Sequence, residues 1–445
     1  MPRFSIAWLI LFTVAPVSAA LAANQPHETS LRKHTLQRHG QRWRELAPFV
    51  PVRAVTKRTD ARVVTLTDEH VDTTGSIIPE VLRNLSGQNN IVGISLRNLS
   101  ISNSAISALK PFRSRLRILD LYGTRIDDGA LELIGGFLEL RELDLGVTRV
   151  TSSGLSSLKS LKRLQVLELS GRRINDTATS SVGHLKSLEH LSLAGTRVTD
   201  KGITSLTTLA KLRGLGLAGT RIEGATLGVL ATLPQLSLID LADTDITATS
   251  PGHLAACRTL KGLNLENCPL IVDSSTSQLA TLRSLKGLVL TKTGFEKESI
   301  TGTGLTRLAT MTGLQHLNLM ATRVDDQAIS ELGKLQNLTH LNLGLTGLGN
   351  AGLQHLAKLP RLQKLVAFYQ VGFGGTKVTA DGLSHFAGHK ALRELDLTGT
   401  KIGDADLAKF KSVAGLNRLT ISGTAITDAG ANMLRKQMPR CTIVR

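Results

Sequence analysis

Apolar residues follow one pattern along most of the chain, L-x-x-L-x-L-x-x-T-x-I/V. One copy reads Leu116, Leu119, Leu121, Thr124, Ile126, and the next Leu140, Leu143, Leu145, Thr148, Val150. The opening leucine recurs at Leu164, Leu188, Leu212, Leu236 and Leu260, a fixed step of 24 residues. It continues at Leu285, Leu314, Leu338, Leu362, Leu392 and Leu416, and Ile91, Ile94 and Leu96 form an earlier copy. Val64-x-Leu66 and Cys441-x-Ile443 read as degenerate copies at the two ends. The L-x-L pair has period two, so its leucines point to one side of a short strand and the residues between them to the other. A single copy cannot bury its apolar side, so neighbours must stack into a continuous core. Stacking at ~4.8 Å per strand predicts a parallel sheet on the order of 70 Å long, with the intervening residues on a concave face.

A helix signal follows each strand. Thr199-Asp200 and Thr427-Asp428 are of the type that caps a helix N-terminus. Leu155, Leu158 and Leu161 then recur at three-residue steps, which suits a short helical or 3-10 segment on the convex side. The fold class is therefore α/β: a solenoid with a curved parallel sheet inside and short helices outside. Counting from the opening leucine, Thr fills the ninth position in most copies, with Leu99, Arg172 and Cys268 as exceptions. A small inward hydroxyl there is expected to bond the loop backbone of the neighbouring copy.

Composition agrees with thin stacked layers. Aromatic residues are 3% of the chain and hydrophobic residues 41%, so aliphatic side chains must fill the core. The formal net charge is +18, which favours acidic partners without bearing on fold. Cys257, Cys268 and Cys441 cannot make a disulfide framework and are expected to be buried thiols.

Residues 1–22 read as an export signal: Arg3, an apolar run from Ile6 to Val14, and the small-x-small site Ala20-Leu21-Ala22. No later apolar run approaches ~18 residues, so no transmembrane anchor is expected. A secreted or periplasmic location follows. Residues 23–60 form a basic tail or cap. Eight Lys or Arg (Arg32, Lys33, Arg38, Arg42, Arg44, Arg53, Lys57, Arg58) stand there against Glu28, Glu45 and Asp60. Trp43 and Leu46 are placed to anchor a cap on the first copy, and a polyanion-binding arm is the alternative. The repeats occupy residues 61–445.

The stretch Leu254-Ala255-Ala256-Cys257 through Leu260, Leu263, Leu265 and Cys268 resembles the cysteine-containing repeat of F-box leucine-rich-repeat proteins. The phrase G-T-x-I-T-D-x-G-L, seen at Thr196–Asp200 and Thr424–Asp428, resembles that of secreted bacterial leucine-rich-repeat proteins. The resemblance implies a recognition solenoid binding protein or an acidic envelope polymer. It also raises an F-box-type adaptor of a ubiquitin ligase, or a host-directed effector. An F-box would need leucine-rich helices that residues 24–60 lack, and an export signal conflicts with cytosolic work.

Two copies are long. The step from Leu285 to Leu314 is 29 and that from Leu362 to Leu392 is 30, with the extra residues near 294–303 and 367–375. Both follow a strand, so they leave the same rim, roughly 15 Å apart. They carry Phe295, Phe368, Tyr369 and Phe373, four of the fourteen aromatic residues of the chain. Aromatic side chains on loops are typical contact anchors, although the alternative is that they tuck against the solenoid edge. The concave patch of His316, Met320 and His340 lies between the two loops. Two histidines without a third ligand fall short of a metal site.

Arg125, Arg149, Arg173, Arg197 and Arg221 occupy the tenth position in successive copies and should line one rim as a candidate anion site. Asp127, Asp128, Asp176 and Asp200 lie close enough in sequence to neutralise them. Asp120, Asp144 and Glu168 form an acidic row on the concave strands, expected to pair with Arg117 and Arg141 beside them. There is no nucleophile–histidine pair in suitable context and no glycine-rich phosphate motif. Nothing in the sequence points to catalysis or to a cofactor.

Overall fold

The computed structural model describes residues 62–293, 299–370 and 374–445. Sixteen parallel strands, from Arg62–Thr65 to Thr442–Val444, pair in sequence order into one open sheet. These are the fourteen full copies and the two degenerate ends. The register is strict: Leu119 pairs with Leu143, Leu143 with Leu167 and Leu167 with Leu191. The core is one ladder of aliphatic side chains running the length of the molecule, with Leu119, Leu143, Leu167 and Leu215 each 0% exposed. Segments on the other side alternate between short α-helices, such as Asp128–Ile134 and Asp176–Val182, and 3-10 turns, such as Gly154–Ser160. Leu155, Leu158 and Leu161 bury their side chains there as their spacing predicts.

Among the described residues the ninth-position threonines do not bond the loop backbone of the neighbouring copy, and Thr244 alone meets a side chain there, the Cys268 thiol at 3.6 Å. Their hydroxyls turn back onto the sixth-position carbonyl of their own turn, as in Thr124 to Leu121, Thr196 to Leu193 and Thr322 to Leu319, at 2.6–2.7 Å. The strand ends in a tight turn whose carbonyl has no ladder partner, and the hydroxyl three residues on is the nearest donor. Cys268 is the exception that reaches across, with its Sγ 3.1 Å from the Leu241 carbonyl of the preceding copy. All three cysteines are free and buried. Burial pushes the Cys257 thiol up to about 11 and the Cys268 thiol up to about 12.

That turn needs a left-handed residue at the eighth position in every full copy except the one opened by Leu362. Glycine meets the need at Gly195 and Gly219. Val147 meets it at φ 55°, a strained conformation for a β-branched side chain, and stands 54% exposed.

The Thr-Asp phrase does two jobs. Thr199 caps its own helix through the Lys201 N–H. The aspartate that follows such a position reaches forward to the next copy. Asp176 accepts from the Thr199 N–H at 2.8 Å and its hydroxyl at 2.7 Å, and Asp128 holds Thr151 in the same way. Asp404 holds Thr427 likewise. Asp200 accepts from the N–H groups of Glu223, Gly224 and Thr226. Burial pushes the Asp200 carboxyl up, but those bonds outweigh it and hold the group below its ordinary value. The solenoid is thus stitched along its outer edge by carboxylates as well as by leucine packing.

Candidate recognition face

The two insertions enter the repeat at different points. Thr293 keeps the ninth-position role, bonding Leu290, and Ile300 is fully buried where the eleventh residue belongs. The five extra residues are therefore 294–298, which lie outside the described residues. The expected span 294–303 is too long, because Thr301 already stands at the N-terminus of the helix Gly302–Leu308 and bonds Asp273 of the preceding copy. In the second insertion Ala367 is a fully buried core residue, so 367 is no loop position. Tyr369–Gln370 pairs antiparallel with Gly374–Gly375, and Thr376 takes the threonine role by bonding the Ala367 carbonyl at 3.0 Å. Lys377 resumes the rim, its N–H bonding the Leu348 carbonyl. The six extra residues are 370–375, a hairpin set between the eighth and ninth positions. The hairpin also explains why this copy lacks the left-handed turn.

Of the four loop aromatics, Phe368 and Tyr369 are half-buried, while Phe295 and Phe373 lie outside the described residues. Phe368 belongs to the regular repeat. Its ring covers Gly344 so closely that a Cβ there would sit 2.2 Å from the ring edge. Met320, Gly344 and Phe368 hold the same position in successive copies, so the ring extends a row that Met320 begins. His316 and His340 stack with ring centroids 4.1 Å apart and planes 21° from parallel. Burial and the nearby Lys364 ammonium lower the His340 pKa, against the pull of Glu394. The strands bring His316, Met320, His340 and Phe368 together on one face, with the hairpin at its rim. Among the described residues no group of three or more His, Cys, Asp or Glu is placed to hold a metal ion.

Arg125, Arg149, Arg173, Arg197 and Arg221 are all exposed along the same rim. Three of them bond the copy before through the backbone, with the Arg149 N–H on the Ile126 carbonyl, that of Arg197 on Ile174 and that of Arg221 on Val198. Of their expected neutralisers, Asp128, Asp176 and Asp200 bond the next copy, and Asp127 caps its own helix through Gly129 while feeling the Arg149 charge. Asp127 lies below its ordinary pKa first through its bond from Asn103, then through Gly129 and the Arg149 charge.

The acidic row differs from expectation in its partners. Arg117 and Arg141 do not pair with it. They crowd each other, and burial together with the Arg117 and Arg163 charges lowers the Arg141 pKa. Arg97, from the copy before, reaches Asp120 at 3.9 Å and Asp144 at 3.8 Å while stacking on the Tyr122 ring. Sequence reasoning missed Arg97 because it sits two residues past its strand, in a copy whose ninth residue is Leu99. It also passed over Glu142, fully buried at the third position of the same face. Its signal was the alternation Glu142-Leu143-Asp144.

A stacked parallel ladder with inward leucines, inward threonines and a short helix per turn defines a leucine-rich-repeat solenoid. A leucine-rich-repeat region model matches residues 95–247, and a leucine-rich-repeat model matches residues 334–357 and 389–411. The chain belongs to the leucine-rich-repeat superfamily. Similar solved structures include an internalin (inlF) from Listeria monocytogenes, 22% identical over 70% of this chain and 82% of that one, with a TM-score of 0.47. A leucine-rich-repeat protein of Leptospira interrogans is 18% identical over 83% of this chain and 98% of that one, also with a TM-score of 0.47. No curated protein matches the chain. Among the described residues no helix is long and apolar enough to cross a membrane.

Proposed function

We propose that the protein is an exported, non-catalytic recognition scaffold that binds a protein partner through the C-terminal third of its concave face and the adjoining rim. One observation carries this reading. The Tyr369–Gly375 hairpin interrupts the repeat beside Phe368, Met320 and the His316–His340 stack. His316, Met320, His340, Phe368 and Tyr369 are half-buried there and are side chains of the kind that make protein contacts. Loops carried by a rigid scaffold are where recognition concentrates. Residues 1–22 supply the export signal. Two measurements test the reading. The mature chain should begin near Ala23 outside the cytoplasm, and an intact Met1 on cytosolic protein contradicts export. Phe368→Ala with Tyr369→Ala should weaken capture of the partner from the organism's envelope fraction by ~2 kcal/mol, about thirtyfold. Unchanged capture contradicts the site.

The five exposed arginines favour a second reading, in which an acidic polymer docks along the rim. All five face solvent, and Asp176 and Asp200 near them are bonded to the next copy. Arginine suits carboxylate and phosphate groups, and such binding is lost with salt.

A further inference from the structure

The rim on which the strands begin lies opposite the rim of the arginine row and the hairpin, because the sheet is parallel throughout. Near the C-terminal end, this rim departs from the repeat at two positions. Three residues before the opening leucine, copies bury an apolar side chain, such as Leu335, Leu359 and Val413. The copy opened by Leu392 places a half-buried His389 there, 5.5 Å from the Phe386 ring between centroids. Backbone groups occupy both of its ring nitrogens. Nδ1 accepts from the Leu392 N–H at 3.1 Å, and Nε2 donates to the Leu359 carbonyl at 2.9 Å. The second departure is Arg440, which takes the opening position of the last copy. Every full copy buries Leu or Ile at that position, at most 3% exposed.

The loops before the last three strands enclose a cavity of about 610 Å³ at these two positions. Its charged lining is Lys390, Arg393, Lys411 and Arg440. Lys and Arg outnumber Asp and Glu only 53 to 35 in the whole chain, yet the fourteen lining residues include four of the former and none of the latter. The cavity at the other end of the solenoid is mixed instead, with Asp68, Asp72 and Asp127 beside Arg125 and Arg149. All four cations are exposed, and among the described residues none of them forms an ion pair. Glu394, next to Arg393 in sequence, is paired with Lys364 at 3.0 Å. Arg393 is held in place by a bond from Nη1 to the Leu392 carbonyl at 2.9 Å.

We propose that this cavity binds a small ligand bearing two phosphate groups, either free or as a lipid headgroup. Its volume is that of a small-molecule site. Charge sets the class. A carboxylate brings a single negative charge against four positive ones, whereas each phosphate monoester brings ~1.5–2 at neutral pH, so two of them balance the site. The forked guanidiniums of Arg393 and Arg440 suit phosphate oxygens, and Lys390 and Lys411 add point charges. The site shares no residue with the concave patch, the hairpin or the arginine row, so it holds whether or not those surfaces bind a partner.

Calorimetric titration of the full chain with inorganic pyrophosphate tests it, at low salt and neutral pH. One saturable site is expected, weakened at least about tenfold in the variant Lys390→Gln with Arg440→Gln. Both side chains are exposed, so the denaturation midpoint of that variant should not move. Arg149→Gln with Arg173→Gln, on the opposite rim, should leave the affinity unchanged. Sulfate should bind at least about tenfold more weakly than pyrophosphate. Sedimentation with phosphatidylcholine vesicles containing phosphatidic acid then separates the two sources of phosphate. Co-sedimentation that is lost in the Lys390→Gln, Arg440→Gln variant assigns a lipid headgroup, and no co-sedimentation of the intact chain assigns a soluble ligand. The proposal is overturned if pyrophosphate shows no saturable binding, if the Lys390→Gln, Arg440→Gln variant binds it unchanged, or if sulfate binds as tightly.

Discussion

The strands from Ile118 to Asp240 and those from Lys364 to Thr420 share one repeat and one core, yet their outer faces differ. In the first region every strand residue but His190 is buried, the outward charges are acidic, and the family model runs through it without a break. In the second the outward residues Lys364, Glu394, Asp396 and Arg418 stand partly or fully open, and a hairpin breaks the step. The leucine ladder does not distinguish the two. Stability is set by the positions that point inward, so the outward ones can diverge toward binding without changing the fold. Regularity in this molecule marks scaffold, and its interruption marks the candidate contact surface.

The comparison can be sharpened through the outer-edge carboxylates. Asp176→Ala removes the acceptor for both the N–H and the hydroxyl of Thr199 and should cost about 3 kcal/mol, read as a drop in denaturation midpoint. Asp326 accepts from the Gly349 N–H alone among the bonds to the next copy, so Asp326→Ala should cost about half as much. Equal losses would mean that the stitching is no stronger in the regular region. These bonds also set an acid limit. Asp200 has a folded pKa below its unfolded value, so its stabilisation is complete above about pH 4 and is lost as pH falls through the folded value. Asp200→Asn should flatten that acid slope.

Thr196→Val removes the shorter of the two hydrogen bonds to the Leu193 carbonyl, leaving the Thr196 N–H, and should cost about 1–2 kcal/mol. An unmoved midpoint would remove the structural role of the threonine column. Val147→Gly acts in the opposite direction. It relieves a left-handed backbone at an exposed position and should gain about 1 kcal/mol. The smallest effect belongs to the rim. Arg149→Gln, Arg173→Gln and Arg197→Gln together should lower heparin retention and its salt dependence while leaving stability within about 0.5 kcal/mol. Unchanged elution assigns the arginine row to inheritance through repeat duplication.

Much of the fold was legible because it depends on spacing. The L-x-L pair gave the strands, the 24-residue step their order, and Val64 and Cys441 the two end strands. What could not be read were partners chosen in three dimensions. From spacing alone the threonine hydroxyl could serve its own turn or the neighbouring copy, and the bend of the turn gives it to its own. The left-handed eighth position was masked because Val147, Asp243, Lys292 and Leu345 fill it as well as glycine. The Thr-Asp phrase reads as a cap from sequence alone, since the receiving threonine lies one copy further on. For the recognition surface, sequence located the insertions but not their limits. Thr376 and Ile300 reset those limits by taking up the duties of the ninth and eleventh positions.

Those limits allow the most direct test of the account. Deleting 294–298 and 370–375 restores a 24-residue step at both places and retains every core residue named above. Affinity of the deleted chain for the partner captured by the intact mature chain is the quantity to measure, alongside its denaturation midpoint. The account predicts a midpoint within about 1 kcal/mol of the intact chain and affinity reduced at least about thirtyfold. A deleted chain that folds and binds with full affinity would contradict it and place recognition elsewhere on the solenoid.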